Sequence, residues 1–396
     1  MSETAAIAPP PWLAAGPAAR VLAVLADARV VGGAVRDTLA GRPVADIDLA
    51  SPLPPEEAMR LLKQAGIRVV PTGLSHGTVT AVIDGTPIEI TTLRRDVETD
   101  GRHATVAFDA DWRQDAARRD FTINAMSLAP DGRLFDYFGG QADLAAGRVR
   151  FVGEAAARIA EDFLRALRWF RFQARYGRGD PDRAALGAIE AAAPHLRQLS
   201  AERVWSELKR ILSAPDPRAA LELMEATGVR AVVLPEGADL AALGRLVAIE
   251  APFDPLLRFA ALLPEGADID LLAARLKFSN EEVARLLALR GPAPDPSADD
   301  AALRRGLADT PAAILAGRSW RAQPGPDIAW DELRARIAAL PPQKFPLRAA
   351  DLGLPEGPRV GRALAAMRAL WLAGGCVADR AMLTSEARRQ IDAGLL

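Results

Sequence analysis

The hydrophobic pattern of the chain changes near Phe151, and this change constrains the fold more than any other feature. From residue 30 to residue 136, short apolar or alternating runs are separated by glycine turns such as Asp84-Gly85, which is typical of strands and hairpins. After Phe151, apolar residues recur at helical spacing among Ala, Leu, Arg and Glu, as amphipathic helices require. The sequence therefore predicts an α+β chain, with an N-terminal head built on a mixed sheet and an all-helical neck, body and tail.

Clusters of proline and glycine divide the helical part further, and the stretch GPAPDPSADD at 291–300 is the best linker candidate. At about 100–200 residues per domain, the 396 residues suggest two to four domains. The predicted segments are an N-terminal tail with a short helix (1–26), the head (27–150), a helical neck (151–215), a helical body (216–290) and a helical C-terminal tail (301–396).

Composition narrows the class of protein. Half of the residues are hydrophobic and 25% are charged, which is ordinary for a globular chain. The formal net charge of −2 argues against a surface coated in cations but allows a local basic channel. The single cysteine excludes an internal disulfide, and with only three histidines we expect no thiolate or imidazole metal cluster. The N-terminal residues do not resemble a signal peptide and no apolar run could span a bilayer, so we expect a cytoplasmic protein without membrane attachment.

Two carboxylates, at Asp46 and Asp48, carry the strongest chemical signal. Residues two apart on a strand point to the same side, so these side chains would repel each other unless a cation lies between them. Mg²⁺ prefers carboxylate and phosphate oxygens, and Glu89 on a neighbouring predicted strand would complete a site for two metal ions. The alternative is a surface strand that carries two solvated aspartates.

A glycine pair lies upstream of these carboxylates, in the segment Gly32-Gly33-Ala34-Val35-Arg36-Asp37. Glycines let backbone N–H groups approach a phosphate closely, and a helix that begins there favours anions at its N-terminus. Arg36 could then hold a triphosphate. This context favours the metal site over two solvated aspartates.

These motifs resemble the class II tRNA nucleotidyltransferase and bacterial poly(A) polymerase family, within the DNA polymerase β nucleotidyltransferase superfamily. The resemblance covers about residues 28–215 and weakens in the C-terminal half. It also rests on T-G-L-S-H-G-T at 72–78, R-R-D-F-T-I-N-A at 118–125 and E-D-F-L-R-A-L-R-W-F-R at 161–171. It implies that Asp46 and Asp48 bind catalytic metal ions and that Gly33 and Arg36 contact the incoming nucleotide.

The R-R-D-F-T-I-N-A motif contributes Arg119, Asp120 and Asn124. Arginine can hold phosphate, while Asp and Asn can hydrogen-bond ribose hydroxyls, which suits the choice of a ribonucleotide over a deoxyribonucleotide. Without the other motifs, Asp120 would be interpreted as a helix cap with a surface ion pair. Within this motif series we predict contacts to the nucleotide.

The segment at 161–171 is predicted to be a single helix with Asp162, Arg165 and Arg168 along one face and Arg171 slightly round it. The resemblance implies that Asp162 and Arg165 bond the Watson–Crick edge of the incoming base, as a protein substitute for a template. It places Arg168 and Arg171 nearby as nucleotide contacts. The alternative is an exposed helix with ion pairs between successive turns.

Two further segments are similar to parts of the family that surround the site. Residues 94–109 resemble its flexible loop, which helps to switch from C to A addition, but His103 and Ala104 stand where many members carry Arg or Lys followed by Pro. Residues 201–212 resemble its neck helix, in which we expect Arg203 to pair with Glu207 as scaffold.

The resemblance implies addition of CCA to the 3′ end of tRNA, by in-line attack of the RNA 3′ hydroxyl on the α-phosphate of CTP or ATP with release of pyrophosphate. We expect Mg²⁺ as cofactor, and the tRNA 3′ end, CTP and ATP as partners. The C-terminal tail is predicted to bind RNA, and no protein partner is predicted. One alternative is a poly(A) polymerase or an A-adding tRNA nucleotidyltransferase on the same scaffold. The other is a non-catalytic RNA-binding protein, against which the intact carboxylates argue.

Overall fold

A computed structural model describes residues 3–99, 104–107 and 111–395 of the chain. The described residues form two compact units, Met1–Pro235 and Glu236–Leu396. The first unit contains the whole predicted head and neck. His103 lies outside the described residues, so the predicted departure from the family in the 94–109 loop is not addressed by the structure.

Mixed pairing characterises the main sheet of the first unit. Its order is β1-β10-β9-β2-β3-β6-β5-β4, and among these strands β3 pairs parallel with β6 while the other neighbours are antiparallel. Strands β7 and β8 form a separate hairpin within the 94–109 segment. The strands are β1 (Glu3–Ala6), β2 (Arg29–Val31), β3 (Asp48–Ser51), β4 (Arg68–Gly73), β5 (Thr78–Ile83), β6 (Thr86–Thr92), β7 (Arg95–Thr99), β8 (Ala104–Ala107), β9 (Met126–Leu128) and β10 (Arg133–Asp136).

The N-terminal segment was predicted to be a tail followed by a short helix, and this is wrong for its first residues. Strand β1 pairs with β10 and extends the sheet, and the backbone N–H of Ile7 donates to the carbonyl of Gly132 over 2.9 Å. A Cβ at Gly132 would lie 2.3 Å from the Ile7 carbonyl oxygen, so only glycine allows this approach. The residues of β1 show no alternation of apolar and polar side chains, so nothing local indicates a strand and its formation depends on pairing with β10.

Helices of the first unit pack around this sheet and continue into the neck. They are α1 (Pro11–Ala14), α2 (Pro17–Val24), α3 (Gly33–Leu39), α4 (Pro55–Gln64), α5 (Trp112–Ala117), α6 (Gly140–Ala146), α7 (Ala155–Glu161), α8 (Leu164–Tyr176), α9 (Arg183–Ala192), α10 (Ala201–Leu212), α11 (Arg218–Ala226) and α12 (Val229–Val233). Helix α8 buries Leu167, Trp169 and Phe170 completely, and the indole of Trp169 donates to the Val149 carbonyl over 2.8 Å. Its opposite face carries the arginines of the predicted site.

The segment at 161–171 is not the single helix that its spacing predicts. Helix α7 ends at Glu161, Asp162 is extended (φ −159°, ψ 107°), and α8 begins at Leu164. The Asp162 carboxylate accepts from the Leu164 backbone N–H over 3.0 Å, so it closes the start of the new helix. Because of this break, Asp162 lies between the two helices and not on one helical face with Arg165 and Arg168.

Helices are the only regular secondary structure among the described residues of the second unit. They are α13 (Leu240–Ala248), α14 (Pro255–Leu262), α15 (Ile269–Leu276), α16 (Asn280–Leu289), α17 (Asp300–Asp309), α18 (Ala312–Ala322), α19 (Ile328–Ala339), α20 (Pro358–Ala373) and α21 (Arg380–Asp392). Aspartate side chains cap several of them, for example Asp268 before α15 and Asp379 before α21. The predicted linker at 291–300 joins α16 to α17 inside this unit. Within the described ranges, every helix is too short or too polar to cross a membrane.

Candidate active site

A cleft of about 720 Å³ opens in the first unit. It is bordered by the β2–α3 turn, the start of β3, the 119–124 segment and helices α8 and α10. Its charged lining consists of Arg36, Arg119, Arg165, Arg168, Arg171, Arg175, Arg203, Arg210, Asp37, Asp48, Asp120 and Asp162. Eight arginines against four aspartates make the cleft basic in a chain whose formal net charge is −2. The local basic channel that the overall charge allows is therefore present.

Most of the predicted site residues meet in this cleft. Those that line it are Gly32, Gly33, Arg36, Asp48, Arg119, Asp120, Asn124, Asp162, Arg165, Arg168 and Arg171. Asp46 and Glu89 lie outside its lining.

The three predicted metal-binding carboxylates come from two strands and one loop. Strand β3 begins at Asp48, so Asp46 lies in the irregular segment before it, and the prediction that both project from one strand is wrong. Glu89 on β6 is the direct register partner of Asp48 in the parallel pair. Both Asp48 and Glu89 stand at exposed positions that alternate with buried Leu49, Ile88 and Ile90. Asp48 and Glu89 therefore share one face of the sheet.

The charges around Asp48 and Glu89, at the edge of the cleft, favour a bound cation. Partial desolvation in the cleft raises the pKa of Asp48; the positive charge of Arg119 opposes this shift and the negative charge of Asp46 adds to it. Desolvation also raises the pKa of Glu89, to which the charge of Asp48 adds and which Arg94 opposes. A divalent ion that binds beside carboxylates crowded in this way relieves the repulsion between their negative charges.

In the described part of the chain, no three His, Cys, Asp or Glu side chains form a preassembled metal cage. Mg²⁺ does not require one, since it keeps several waters and commonly uses one or two carboxylates together with substrate phosphates. Asp48 with Glu89 beside it fits that requirement, and Asp46 is near enough for its charge to act on Asp48.

Gly32 brings Arg119 against the β2–α3 turn. Gly32 has φ +70° and ψ −124°, a conformation that L side chains rarely adopt, and a Cβ there would lie 3.1 Å from Nη1 of Arg119. The Arg119 guanidinium also forms a salt bridge of 3.4 Å with buried Asp115. Arg119 therefore lies against the glycine turn, and its positive charge acts on the carboxylate of Asp48.

A continuous hydrogen-bond network joins the head to helix α8. Arg36 donates from Nε and Nη2 to Asp37 over 3.1 and 3.0 Å and from Nη1 to Asn124 over 2.6 Å. The guanidinium of Arg36 also lies 4.6 Å from the ring centre of Tyr176, whose hydroxyl donates to Asp37. Asn124 in turn donates to Asp120 over 2.9 Å. These contacts hold the guanidinium of Arg36 in one position at the wall of the cleft.

Asp120 ends this network as a buried acceptor rather than a surface ion pair. Its side chain accepts from Nε of Arg168 over 2.7 Å, from Nη2 of Arg168, from Asn124 and from the Phe121 backbone N–H. Burial would raise the pKa of Asp120, but the charge of Arg168 and these hydrogen bonds hold it below its usual range. With its oxygens occupied, Asp120 holds Arg168 at the cleft wall.

The side chains of Asp162 and Arg165 are each held by other residues, and the two residues are joined only through their backbones, where the Arg165 N–H donates to the Asp162 carbonyl over 2.9 Å. Asp162 accepts from Arg203 of α10 over 2.6 Å, while Arg165 forms a salt bridge with Glu161 and donates to the Arg158 carbonyl over 3.0 Å. The predicted Arg203–Glu207 pair is therefore wrong, because Arg203 reaches across to the helix break instead.

Glu207 is a buried carboxylate, for which the sequence predicts only a structural pairing within its own helix. It is 2% exposed and forms salt bridges with Arg171 over 3.3 Å and with Arg210 over 3.1 Å. Burial lowers the pKa of Arg171 to about 10, against the effect of Glu207, so its guanidinium stays protonated at neutral pH. Arg203, Glu207 and Arg210 recur at helical spacing along α10, and this charged stripe was a signal that could have identified them.

Comparison with known families gives matches for two segments of the chain. Residues 28–150 match the family described as "Poly A polymerase head domain". Residues 180–240 match the family described as "Probable RNA and SrmB- binding site of polymerase A".

Curated relatives are similar over larger parts of the chain. The mitochondrial CCA tRNA nucleotidyltransferase 1 of Danio rerio is 43% identical over 265 residues, 65% of this chain and 61% of that protein. The CCA-adding enzyme of Geobacillus thermodenitrificans is 35% identical over 336 residues, 80% of this chain and 79% of that enzyme. The chain thus spans about three fifths of the length of the mitochondrial relatives that it matches.

Solved structures share the fold. The crystal structure of the Bacillus stearothermophilus CCA-adding enzyme in complex with CTP aligns with a TM-score of 0.74 and 26% identity, covering 95% of this chain and 98% of that one. The Thermotoga maritima CCA-adding enzyme complexed with tRNA-CCA aligns with a TM-score of 0.63 and 20% identity, covering 96% and 97%. These alignments extend the likeness in fold through the helical C-terminal half.

Proposed function

The chain belongs to the CCA-adding tRNA nucleotidyltransferase family, and on that premise we propose that it adds CCA to the 3′ end of tRNA from CTP and ATP, with release of pyrophosphate. The observation that carries the proposal is the basic cleft, which has the Asp48 carboxylate at one wall and Asp162 with Arg165 at another. A nucleotide in this cleft would meet an edge suited to metal ions and a pair of groups suited to a base edge.

We propose that Asp48, Asp46 and Glu89 hold the metal ions. Mg²⁺ bound there supplies activation of the RNA 3′ hydroxyl and charge stabilisation for the leaving pyrophosphate. The carboxylates contribute negative charge at one edge of the cleft, where their mutual repulsion favours a divalent ion over an empty site.

The protein's own cations hold the triphosphate and the base. Arg119 beside Gly32 faces the carboxylate edge and is best placed to bind phosphate oxygens there. Arg36, Arg168 and Arg171 add positive charge along the cleft wall. Asp162 accepts and Arg165 donates at the base edge, which is the complementary pair that a template base would otherwise offer. Ribose contacts by Asp120 and Asn124 stay a prediction, and the buried network supports a positioning role for both.

The proposal is tested with purified protein, Mg²⁺ and tRNAs that end before CCA, after the first C and after the second C, each offered labelled CTP or ATP. Addition of two C residues and one A, followed by a stop, is the expected result. A alone on the tRNA that ends after the second C would identify an A-adding enzyme. A long A tail on unrelated RNA would identify a poly(A) polymerase, and RNA binding without incorporation would identify a non-catalytic protein.

Replacing Asp162 by alanine is expected to reduce the discrimination between CTP and ATP on a tRNA that ends before CCA by about 10- to 100-fold, because a charged hydrogen-bond acceptor for the base is removed. The ratio of kcat/KM for the two nucleotides measures this. Arg203→Met keeps the carboxylate but removes its partner, so a smaller reduction is expected. Glu222→Ala, which removes an exposed carboxylate of α11, serves as control. An unchanged ratio in Asp162→Ala would remove Asp162 from base selection.

Mg²⁺ is expected to raise the melting temperature by roughly 2–5 °C when present at several times its Kd. The raised pKa values of Asp48 and Glu89 mean that the stability contributed by their protonated forms is lost as the pH rises through those values. The stabilisation by Mg²⁺ should therefore fade as the pH falls toward the raised pKa values, above the ordinary values of 3.8 and 4.5. Thermal melts with EDTA or Mg²⁺ across a pH series measure both effects, and a pH-independent Mg²⁺ shift would contradict the assignment.

The cytoplasmic location, the absence of a protein partner and the binding of RNA by the C-terminal tail stay predictions. The domain boundaries at 215, 290 and 301 do so as well.

A further inference from the structure

A second pocket of about 400 Å³ lies beside the cleft in the first unit. It shares Arg175 and Tyr176 with the cleft, and its other charged lining residues are Arg42 and Arg178. No acidic residue borders it among the described residues. Three arginines therefore surround a cavity without a carboxylate in its walls.

Two of the three guanidinium groups are held in place by backbone carbonyls. Arg42 donates from Nη2 to the Arg175 carbonyl over 2.7 Å and lies 4.8 Å from the ring centre of Tyr176. Arg178 donates from Nη2 to the carbonyls of Leu144 and Ala145 over 3.3 and 3.2 Å, and its backbone N–H donates to the Gly147 carbonyl over 2.9 Å. A carbonyl orients a guanidinium but does not cancel its charge, so both keep a full positive charge.

Arg175 differs from the other arginines of the cleft. Seven of the eight form a salt bridge with a carboxylate, namely Arg36, Arg119, Arg165, Arg168, Arg171, Arg203 and Arg210. Within the described ranges, Arg175 has no such partner, and it is exposed at the last turn of α8. Since it borders both cavities, it extends the basic surface from the cleft into the second pocket.

We propose that the second pocket is a phosphate-binding site formed by Arg42, Arg175 and Arg178. Guanidinium groups with free N–H donors and uncompensated charge bind phosphate oxygens, often in pairs. Asp48, Gly32 and Gly33 border the cleft but not this pocket, so the phosphate bound here is not the one at the carboxylate edge. Its expected source is the backbone of the RNA strand a short distance from its 3′ end; the outer phosphates of the nucleotide share the same chemistry. This assignment of the RNA path rests on the proposed function.

The test compares a double variant, Arg42→Ala with Arg178→Ala, with Arg68→Ala, because Arg42 and Arg178 border the second pocket and not the cleft. Arg68 is an exposed arginine on β4 that has no carboxylate partner in the described structure and borders neither cavity. Binding of a fluorescent tRNA that ends after the second C is measured by anisotropy over a series of KCl concentrations, and binding of CTP by calorimetry. Neither measurement needs turnover.

The double variant is expected to weaken tRNA binding roughly 5- to 20-fold at low salt and to reduce the salt dependence of log Kd by about 1 for each phosphate that the variant no longer binds. CTP binding and the Arg68→Ala control should stay at the wild-type level. The corresponding double lysine variant should recover most of the salt dependence, since it restores the charge. Weaker CTP binding with unchanged tRNA binding would assign the phosphate to the nucleotide.

If neither ligand binds more weakly, or if Arg68→Ala weakens tRNA binding as much, the pocket is not a phosphate site. These outcomes are separate from the proposed reaction. A wild-type protein that adds no nucleotide, but whose double variant binds tRNA more weakly, would contradict the proposed function and keep the pocket. If the wild-type protein adds CCA while the double variant binds tRNA and CTP normally, the proposed function is supported and the phosphate-binding pocket is contradicted.

Discussion

Replacing Asp48 by asparagine is expected to lower the rate of nucleotide addition about 10³-fold, equivalent to about 4 kcal/mol, with the fold intact. Asp48 is the carboxylate of β3 that lines the cleft, and it is the register partner of Glu89. The charges of Asp46 and Arg119 both act on its pKa. An amide of the same shape keeps the packing but removes the negative charge that holds a divalent ion. Single-turnover incorporation of labelled CTP measures the decrease.

The same variant should melt at or above the wild-type temperature in EDTA, because the raised pKa of Asp48 means that its ionised form is less favourable in the folded than in the unfolded protein. It should also lose the stabilisation by Mg²⁺. Asp84→Asn, which makes the same chemical change at the exposed β5–β6 turn, is the matched control and should change neither property. If Asp48→Asn retained full activity under Mg²⁺, the catalytic assignment would fail.

Replacing Asp120 by alanine is expected to lower the free energy of unfolding by about 3 kcal/mol, because Arg168 and Asn124 lose a shared buried acceptor. Arg168 is partly exposed, so the full cost of an isolated buried charge does not apply. The lowered pKa of Asp120 means that its stabilising effect is present above the ordinary aspartate range and is lost as the pH falls through the lowered value. Urea unfolding at neutral pH and in acid measures both effects, and the two proteins should converge only in strong acid.

The control for Asp120 is a salt bridge with similar partners on the surface. Asp216 pairs with Arg218 over 2.6 Å with both side chains nearly half exposed, and Asp216→Ala should change stability by less than about 1 kcal/mol. A double variant, Asp120→Asn with Arg168→Met, removes both charges and should recover part of the lost stability. Equal effects at positions 120 and 216 would show that the network does not hold the head and neck together.

Much of the fold could be predicted because it depends on local patterns. The β2–turn–α3 unit and the hairpin at Asp84-Gly85 follow from alternation and turn residues, and both are present. Strand β1 could not be predicted, because its residues carry no strand pattern and its pairing depends on a partner far along the chain. The helix break at Asp162 was not predicted either, because the helical spacing continues through it and indicates a single helix.

The residues of the candidate site were easier to find than their partners. Eleven of the thirteen predicted site residues line one cleft, and the other two, Asp46 and Glu89, lie near Asp48. Tyr176 and Arg203 were not predicted to belong to the site. Tyr176 stands at the end of a helix, and Arg203 was expected to pair within its own helix. Their contacts, with Asp37 and Asp162, span 139 and 41 residues.

Periodicity, composition and motif order are properties of the amino-acid sequence, and they were enough to indicate the class of the chain, the family and the chemical groups available to the site. Which carboxylate neutralises which arginine depends instead on the folded chain. Every arginine carries the same charge and a long side chain, so spacing along the chain cannot rank partners that folding brings together. That pairing sets apart Arg175, whose charge no carboxylate offsets among the described residues, from the seven paired arginines of the same cleft.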